Sequence, residues 1–187
     1  MLQSAMEIAV RAHRGQFRRN SYTPYAFHAL DVPKRMINWG VKDEVTLAAG
    51  CLHDVEEENP GKRYMIDFLN YHPCGPTDFE RLVYNVVMDE LTFIPEAKKW
   101  PTKEKYIESF MTASAYALTV KIADRLCNTM DFYYGGDPYA KKYFGIKGKP
   151  IFDAMQLRLN DLEELHGIKV VNAIKADYTQ TLKIIGD

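Results

Sequence analysis

Apolar residues recur at helical spacing along almost the whole chain, and no stretch alternates convincingly as a half-buried strand would. That patterning restricts the chain to an all-α fold. From Leu2 to about His13, Met6, Ile8, Ala9, Val10 and Ala12 carry a helical period, and Gly15 stops it. A second helix is expected from about Tyr25 to Trp39, ended by Gly40, with Pro33 inside it as a place for a kink or a split. Asp43 can cap the next helix, which reads on through His53 and Asp54 to the breaker Asn59-Pro60-Gly61. Short helices fit 63–71 and 77–91. Thr102 is a good N-cap for a helix or helix pair over 103–134, closed by Gly135-Gly136. Beyond a loop-like stretch to Pro150, two last helices fit 151–166 and 169–185, with Gly167 between them. The sum is about seven to nine helices. No strand, Gly-rich loop and helix follow one another, which argues against a Rossmann or P-loop nucleotide site.

A chain of 187 residues suits one domain. We read 1–187 as that domain, with a motif-bearing core over about 1–135 and a helical C-terminal extension over about 136–187. A net charge of −1 supplies no basic field for a nucleic-acid partner. Cys51, Cys74 and Cys127 are odd in number and form no C-x-x-C pair, as expected of a reduced, cytoplasmic protein. No apolar run approaches a membrane span, and the N-terminus lacks the block pattern of a signal peptide. Oligomeric state is not legible.

The chemistry concentrates at three distant stations. In Leu52-His-Asp-Val-Glu-Glu-Glu58, read as helix, Glu57 lies one turn from His53 and Glu58 one turn from Asp54. Like charges at that spacing repel, and a divalent cation would offset the repulsion. A solvated acidic helix end is the alternative. Asp124 lies among the apolar positions Val120, Ile122, Ala123 and Leu126. An ionised Asp near a core must pair or coordinate a metal, and Lys121 or Arg125 could also pair it. His28 follows Pro24-Tyr-Ala-Phe27, and alone it reads as a packed or surface residue. Together His28, His53, Asp54 and Asp124 offer two imidazoles and two carboxylates. Such a set suits Mn²⁺, Fe²⁺ or Zn²⁺ with positions open for water and substrate. A cation there would acidify water and polarise a phosphoryl oxygen, with Glu57 and Glu58 placed to handle the proton.

Four ordered segments resemble those of HD-domain metal-dependent phosphohydrolases, specifically the (p)ppGpp hydrolase domain of RelA/SpoT enzymes and stand-alone small alarmone hydrolases. They are Ala12-His-Arg-Gly-Gln-Phe-Arg-Arg19, Pro24-Tyr-Ala-Phe-His28, Leu52-His-Asp-Val-Glu-Glu-Glu58 and Lys121-Ile-Ala-Asp-Arg-Leu-Cys-Asn128. The resemblance implies an HD-type helical bundle and a divalent cation, usually Mn²⁺, held by His28, His53, Asp54 and Asp124. It implies hydrolysis of the 3′-pyrophosphate of ppGpp or pppGpp, with Glu57 and Glu58 catalytic. Arg18, Arg19 and Asn128 match substrate-contacting positions, and the implied partner is a small nucleotide.

The chain departs from the pattern at several points. Glu58 stands where the family prefers Asp, Ala29 where Pro is common, Cys127 where His or Tyr is common, and Leu91 near a frequent Lys. Some relatives act on other nucleotides. A deoxynucleotide, a nucleoside monophosphate or NADPH are therefore rival substrates, and a catalytically weak nucleotide sensor is the rival of another class. Of the remaining residues, His13 reads as structural near the Arg18 loop, His72 as part of a turn, and His166 as a helix-end residue. Lys141-Lys142-Tyr143 reads as a solvated turn, and Tyr133 and Tyr134 as packing residues.

Overall fold

The computed structural model describes residues 2–19, 21–91, 102–135 and 148–186. Ten α-helices follow one another among them: α1 (Leu2–Ala12), α2 (Tyr25–Trp39), α3 (Glu44–Leu52), α4 (Tyr64–Leu69), α5 (Asp78–Asn85), α6 (Lys103–Thr112), α7 (Ala115–Tyr134), α8 (Lys149–Leu157), α9 (Glu163–His166) and α10 (Ile168–Gly186). A π-helical segment, Val86–Leu91, continues α5, and a short 3₁₀ turn, Leu159–Leu162, precedes α9. The all-α expectation holds, and the only β-type pairing among the described residues is an isolated bridge between Phe17 and Pro24.

Helix α3 is the axis of the fold. Every residue from Val45 to Leu52 is buried, as expected of a helix that is apolar all round. It packs against α1, α2 and α7. Its small residues set the distance of approach: a Cβ on Gly50 would lie 2.4 Å from Met36 Cε and 3.6 Å from Val32 Cγ1 of α2. The expected cap is present, with Asp43 accepting the Thr46 N–H at 2.7 Å. Helix α2 runs through Pro33 as a single helix rather than splitting there. Pro33 is buried in its packed face, so tertiary contacts hold the helix across the missing donor. Gly40, at φ 94°, ends α2 in the left-handed conformation, and its N–H returns to the Ile37 and Met36 carbonyls.

Two stretches resolve differently from the sequence reading, and a third takes one of the two forms expected of it. The span 103–134 is a helix pair, because Ser114 caps α7 by accepting the Ala117 N–H at 3.3 Å. The span 151–166 breaks after Leu157. There Arg158 turns its guanidinium to the carbonyls of Phe110, Met111 and Ala113 at the end of α6. The largest departure concerns His53 to Glu58, which leaves α3 as a run of turns and does not continue the helix. Helix α10 packs on α2 and α7, and a paired contact of the Arg35 guanidinium with Asp177, 2.8 Å on each side, fastens it. Trp39 Nε1 donates to the same carboxylate at 2.7 Å.

Lys121 is buried in α7 and donates to Ser109 Oγ at 2.9 Å. Burial pushes its ammonium down to about 8, although Glu90 opposes the shift. A free lysine titrates near 10.5, so between pH 8 and 10.5 the unfolded chain binds more protons than the folded one. Stability contributed by this residue therefore rises with pH across that window. The melting temperature of the protein relative to its Lys121→Met variant should climb from pH 8 to 10.5. A constant difference would show that Lys121 keeps its ordinary affinity for protons.

Candidate metal centre and active site

The turn after α3 places side chains that a straight helix would fan apart. His53 caps α3, and its Nδ1 lies 2.8 Å from the Gly50 carbonyl, which fixes the proton on Nδ1. Its Nε2 therefore carries the lone pair. That nitrogen is buried with no aligned hydrogen-bond partner among the described residues, and it faces Asp54 Oδ2 at 3.1 Å and Asp124 Oδ1 at 3.6 Å. His28, reaching in from α2, presents its Nε2 to the same two oxygens, 3.1 Å from Asp124 and 3.6 Å from Asp54. His28, His53 and Asp124 bring ligand atoms within 4.8 Å of one another. Asp54 closes the ring through its short distances to both imidazoles. All four expected ligands thus converge from α2, α7 and the turn after α3.

The donor set fits a divalent cation. A buried imidazole nitrogen with a free lone pair, aimed between two carboxylates, is how a neutral histidine binds a metal. Without a cation the carboxylates draw protons onto the ring instead. Burial opposes a charged His53, yet Asp54 and Asp124 outweigh it and hold its pKa well above the usual value. Reciprocally, burial would raise both carboxyls. The neighbouring imidazoles overcome it, pulling Asp54 down to about 2 and Asp124 well below the carboxylate range. Neither Lys121 nor Arg125 takes the Asp124 partnership weighed from sequence: Lys121 reaches Ser109, and Arg125 lies over the Phe152 ring.

The correction at 53–58 alters how the acidic residues sit. Only the Glu58 N–H to Asp54 carbonyl bond, 3.0 Å, keeps the helical i to i+4 spacing. Outside bonds compete with the helix there: Gln16 donates to the Glu58 carbonyl at 3.2 Å, and Asn59 Nδ2 to the Val55 carbonyl at 3.0 Å. Glu58 is exposed in the wall of a cleft, while Glu57 is partly buried. Burial, then Asp54, Glu58 and Asp124, push the Glu57 carboxyl up to about 8. Burial and Asp54 also raise Glu58, with Arg18 opposing.

That cleft measures about 850 Å³ and is walled by His28, Glu58, Arg18, Arg19, Asn128 and Tyr134, among others. Its size lies in the range of small-molecule sites, roughly 300–1,000 Å³. Arg18 is shaped by the isolated bridge, donating its N–H to the Thr23 carbonyl at 2.9 Å. Its guanidinium lies over Tyr25 and donates to Asn128 Oδ1 at 2.5 Å and Asp131 Oδ2 at 3.1 Å. Asn128 in turn donates to Asp124 Oδ1 at 2.5 Å, so one chain of bonds joins the cleft to the expected metal ligands. Arg19 is exposed at the rim.

The sequence reading missed three participants. Tyr25 donates its hydroxyl to Asp54 Oδ2 at 2.6 Å and stacks on His13, with ring centroids 4.6 Å apart. Its place in the Pro24-Tyr25-x-x-His28 segment was the available signal. Gln16 bonds His13 Nδ1 at 2.7 Å and holds the turn that carries Glu58. Asp131 lies one turn beyond Asn128 on the same face of α7, a spacing readable from sequence. Tyr134 also differs from expectation: it is 73% exposed at the cleft, whereas Tyr133 packs on the core. His72 pairs with Glu80 at 3.0 Å, and His166 bonds Thr119 at 3.0 Å. The Lys141-Lys142-Tyr143 cluster lies outside the described residues.

Comparison with known proteins extends these observations. No family model matches the chain. It is 33% identical over 138 residues to a GTP pyrophosphokinase of Streptomyces antibioticus, covering 71% of this chain and 15% of that protein. The chain thus spans a minor part of that enzyme's length. It is 31% identical over 132 residues to the human guanosine-3′,5′-bis(diphosphate) 3′-pyrophosphohydrolase MESH1, covering 70% of this chain and 68% of that one. A solved structure of a metazoan ortholog of SpoT that hydrolyzes ppGpp superposes with a TM-score of 0.71 at 23% identity. The match covers 96% of this chain and 94% of that chain, and the two share a fold.

Proposed function

The chain belongs to the RelA/SpoT-type, HD-domain family of MESH1, and from that membership we propose that it hydrolyses the 3′-pyrophosphate of guanosine tetra- or pentaphosphate, releasing pyrophosphate. The observation that carries this reading is the convergence of His28, His53, Asp54 and Asp124 beside two glutamates and a nucleotide-sized cleft. In this reading those four residues hold a divalent cation, with Mn²⁺ the first candidate. When bound, such an ion supplies Lewis acidity to a phosphoryl oxygen and lowers the pKa of water.

The chain's own residues do the rest. Glu57 and Glu58 accept the proton of the attacking water and return it to the leaving oxygen. Arg18 leaves Asn128 and Asp131 to meet the nucleotide, forking onto phosphate oxygens or stacking on the purine. Arg19 adds positive charge at the rim, and Asn128 offers a polar contact on the ligand side of α7. Tyr25 steadies Asp54 through its hydroxyl. No described helix is long and apolar enough to cross a membrane. The odd number of widely spaced cysteines supports a reduced, cytoplasmic setting in this reading.

A substrate panel tests the reading. The metal-replenished protein is offered ppGpp, pppGpp, a deoxynucleoside triphosphate, a nucleoside monophosphate and NADPH, scoring phosphate against pyrophosphate. Pyrophosphate from the two alarmones is the expected result. Turnover confined to another nucleotide would reassign the substrate. Tight binding with no turnover under Mn²⁺, Mg²⁺, Zn²⁺, Co²⁺ or Fe²⁺ would make the protein a sensor.

A further inference from the structure

His28 Nδ1 is buried and has no hydrogen-bond partner among the described residues, while its Nε2 faces the metal ligands. A ligating imidazole ordinarily donates its other N–H to a carboxylate or carbonyl, as His53 does to Gly50. The nearest recorded carboxylate to His28 Nδ1 is Asp131 Oδ2 at 3.9 Å, too long for a hydrogen bond. That same oxygen accepts from Arg18 at 3.1 Å. Arg18 and Asp131 both line the cleft, and the Asp131 side chain is 47% exposed, so it has room to move.

We propose that Asp131 is a positioning residue that couples substrate arrival to the metal centre. With the cleft empty, Arg18 holds its carboxylate away from His28. When a nucleotide phosphate takes the Arg18 guanidinium, Asp131 is released to accept the His28 Nδ1–H. That bond fixes the His28 tautomer, orients the ring and raises the basicity of Nε2 toward the cation. Substrate and metal then strengthen each other's binding, as linkage requires of two ligands that bias one element. The inference rests on the metal-binding reading of His28 and on Arg18 as a substrate contact.

A double-mutant cycle read by metal affinity tests it, using calorimetric titration of Mn²⁺ into the metal-stripped protein. In the Arg18→Ala background, where Asp131 is free to meet His28 without any nucleotide, Asp131→Ala should weaken Mn²⁺ binding roughly 10- to 100-fold. Arg18→Ala frees Asp131 without any nucleotide and should tighten binding by a larger factor where Asp131 is present than where it is absent. Removing a positive charge also helps a cation through space, and that contribution would be equal in both backgrounds. In the Arg18→Ala background Asp131→Asn, which still accepts a hydrogen bond, should retain most of the affinity. Overturning results are an affinity of the Arg18→Ala/Asp131→Ala double variant within twofold of that of Arg18→Ala, or an Arg18→Ala effect of equal size with and without Asp131. Circular dichroism and melting temperature separate these outcomes from misfolding. A parent protein that binds no Mn²⁺ would instead remove the metal reading itself.

Discussion

Adding Mn²⁺ to the metal-stripped protein should raise its melting temperature by about 5–10 °C, and Asp124→Ala should abolish both that rise and all pyrophosphate release. A ligand at a hundred times its Kd stabilises the folded state by about 2.7 kcal/mol. For a chain of this size each kcal/mol moves the midpoint by about 2–4 °C. Asp124 is the residue to remove because it touches both imidazoles and is tied through Asn128 to the cleft. The variant also has a signature in the metal-free state. The depressed pKa of Asp124 means that its contribution to stability is full above the ordinary carboxylate pKa and is lost as pH falls below it. Metal-free Asp124→Ala should therefore melt below the parent at neutral pH, with the gap closing in acid. A variant that keeps its helical signal and its metal-induced rise would show that the cation, if bound, sits elsewhere. His53→Ala should likewise abolish the metal-induced rise and the turnover, because it removes the imidazole whose free nitrogen faces both carboxylates.

The proposed metal ligands were legible in the sequence because each sits in an element that the hydrophobic pattern already defines. His28 lies near the start of α2, His53 at the end of an all-apolar α3, and Asp124 among buried residues of α7. Helical periodicity can carry such residues to one place without any knowledge of the bonds between them. What periodicity cannot show is where a helix is out-competed. The reading carried α3 on to Asn59, whereas hydrogen bonds from Gln16, distant in sequence, and from Asn59 favour turns over 53–58. The same blindness to long-range bonds hid Tyr25, whose hydroxyl reaches Asp54 across 29 positions, and the bond from Arg18 to Asp131 across 113. The break after Leu157 belongs to this class too, since Arg158 answers to carbonyls of another helix. Tyr134 was misread because a tyrosine at a helix end serves packing and exposed cleft wall equally well in a one-dimensional pattern.

Glu57→Gln should lower kcat by about 10²–10⁴, the usual worth of a positioned acid or base, and yet stabilise the metal-free protein. The two effects share one cause. Burial and three neighbouring carboxylates push Glu57 up to about 8 from an ordinary value of 4.5. Between those values the folded state binds more protons than the unfolded one, so stability falls as pH rises through the window. A neutral amide of the same shape has no proton to lose. The melting-temperature advantage of metal-free Glu57→Gln should be small near pH 4.5, grow through neutrality and level off above pH 8. A bound cation counters the same carboxylates and draws the Glu57 pKa down. Saturating Mn²⁺ should therefore shrink the advantage while the activity defect persists. Glu58 supplies the contrast, because it is exposed in the cleft wall and its charge is partly answered by Arg18. Glu58→Gln should impair turnover with little gain in metal-free stability. If Glu57→Gln kept full activity, or its advantage were flat with pH, the proton-handling role would pass to Glu58. The crowding of carboxylates at this turn would then serve the cation alone.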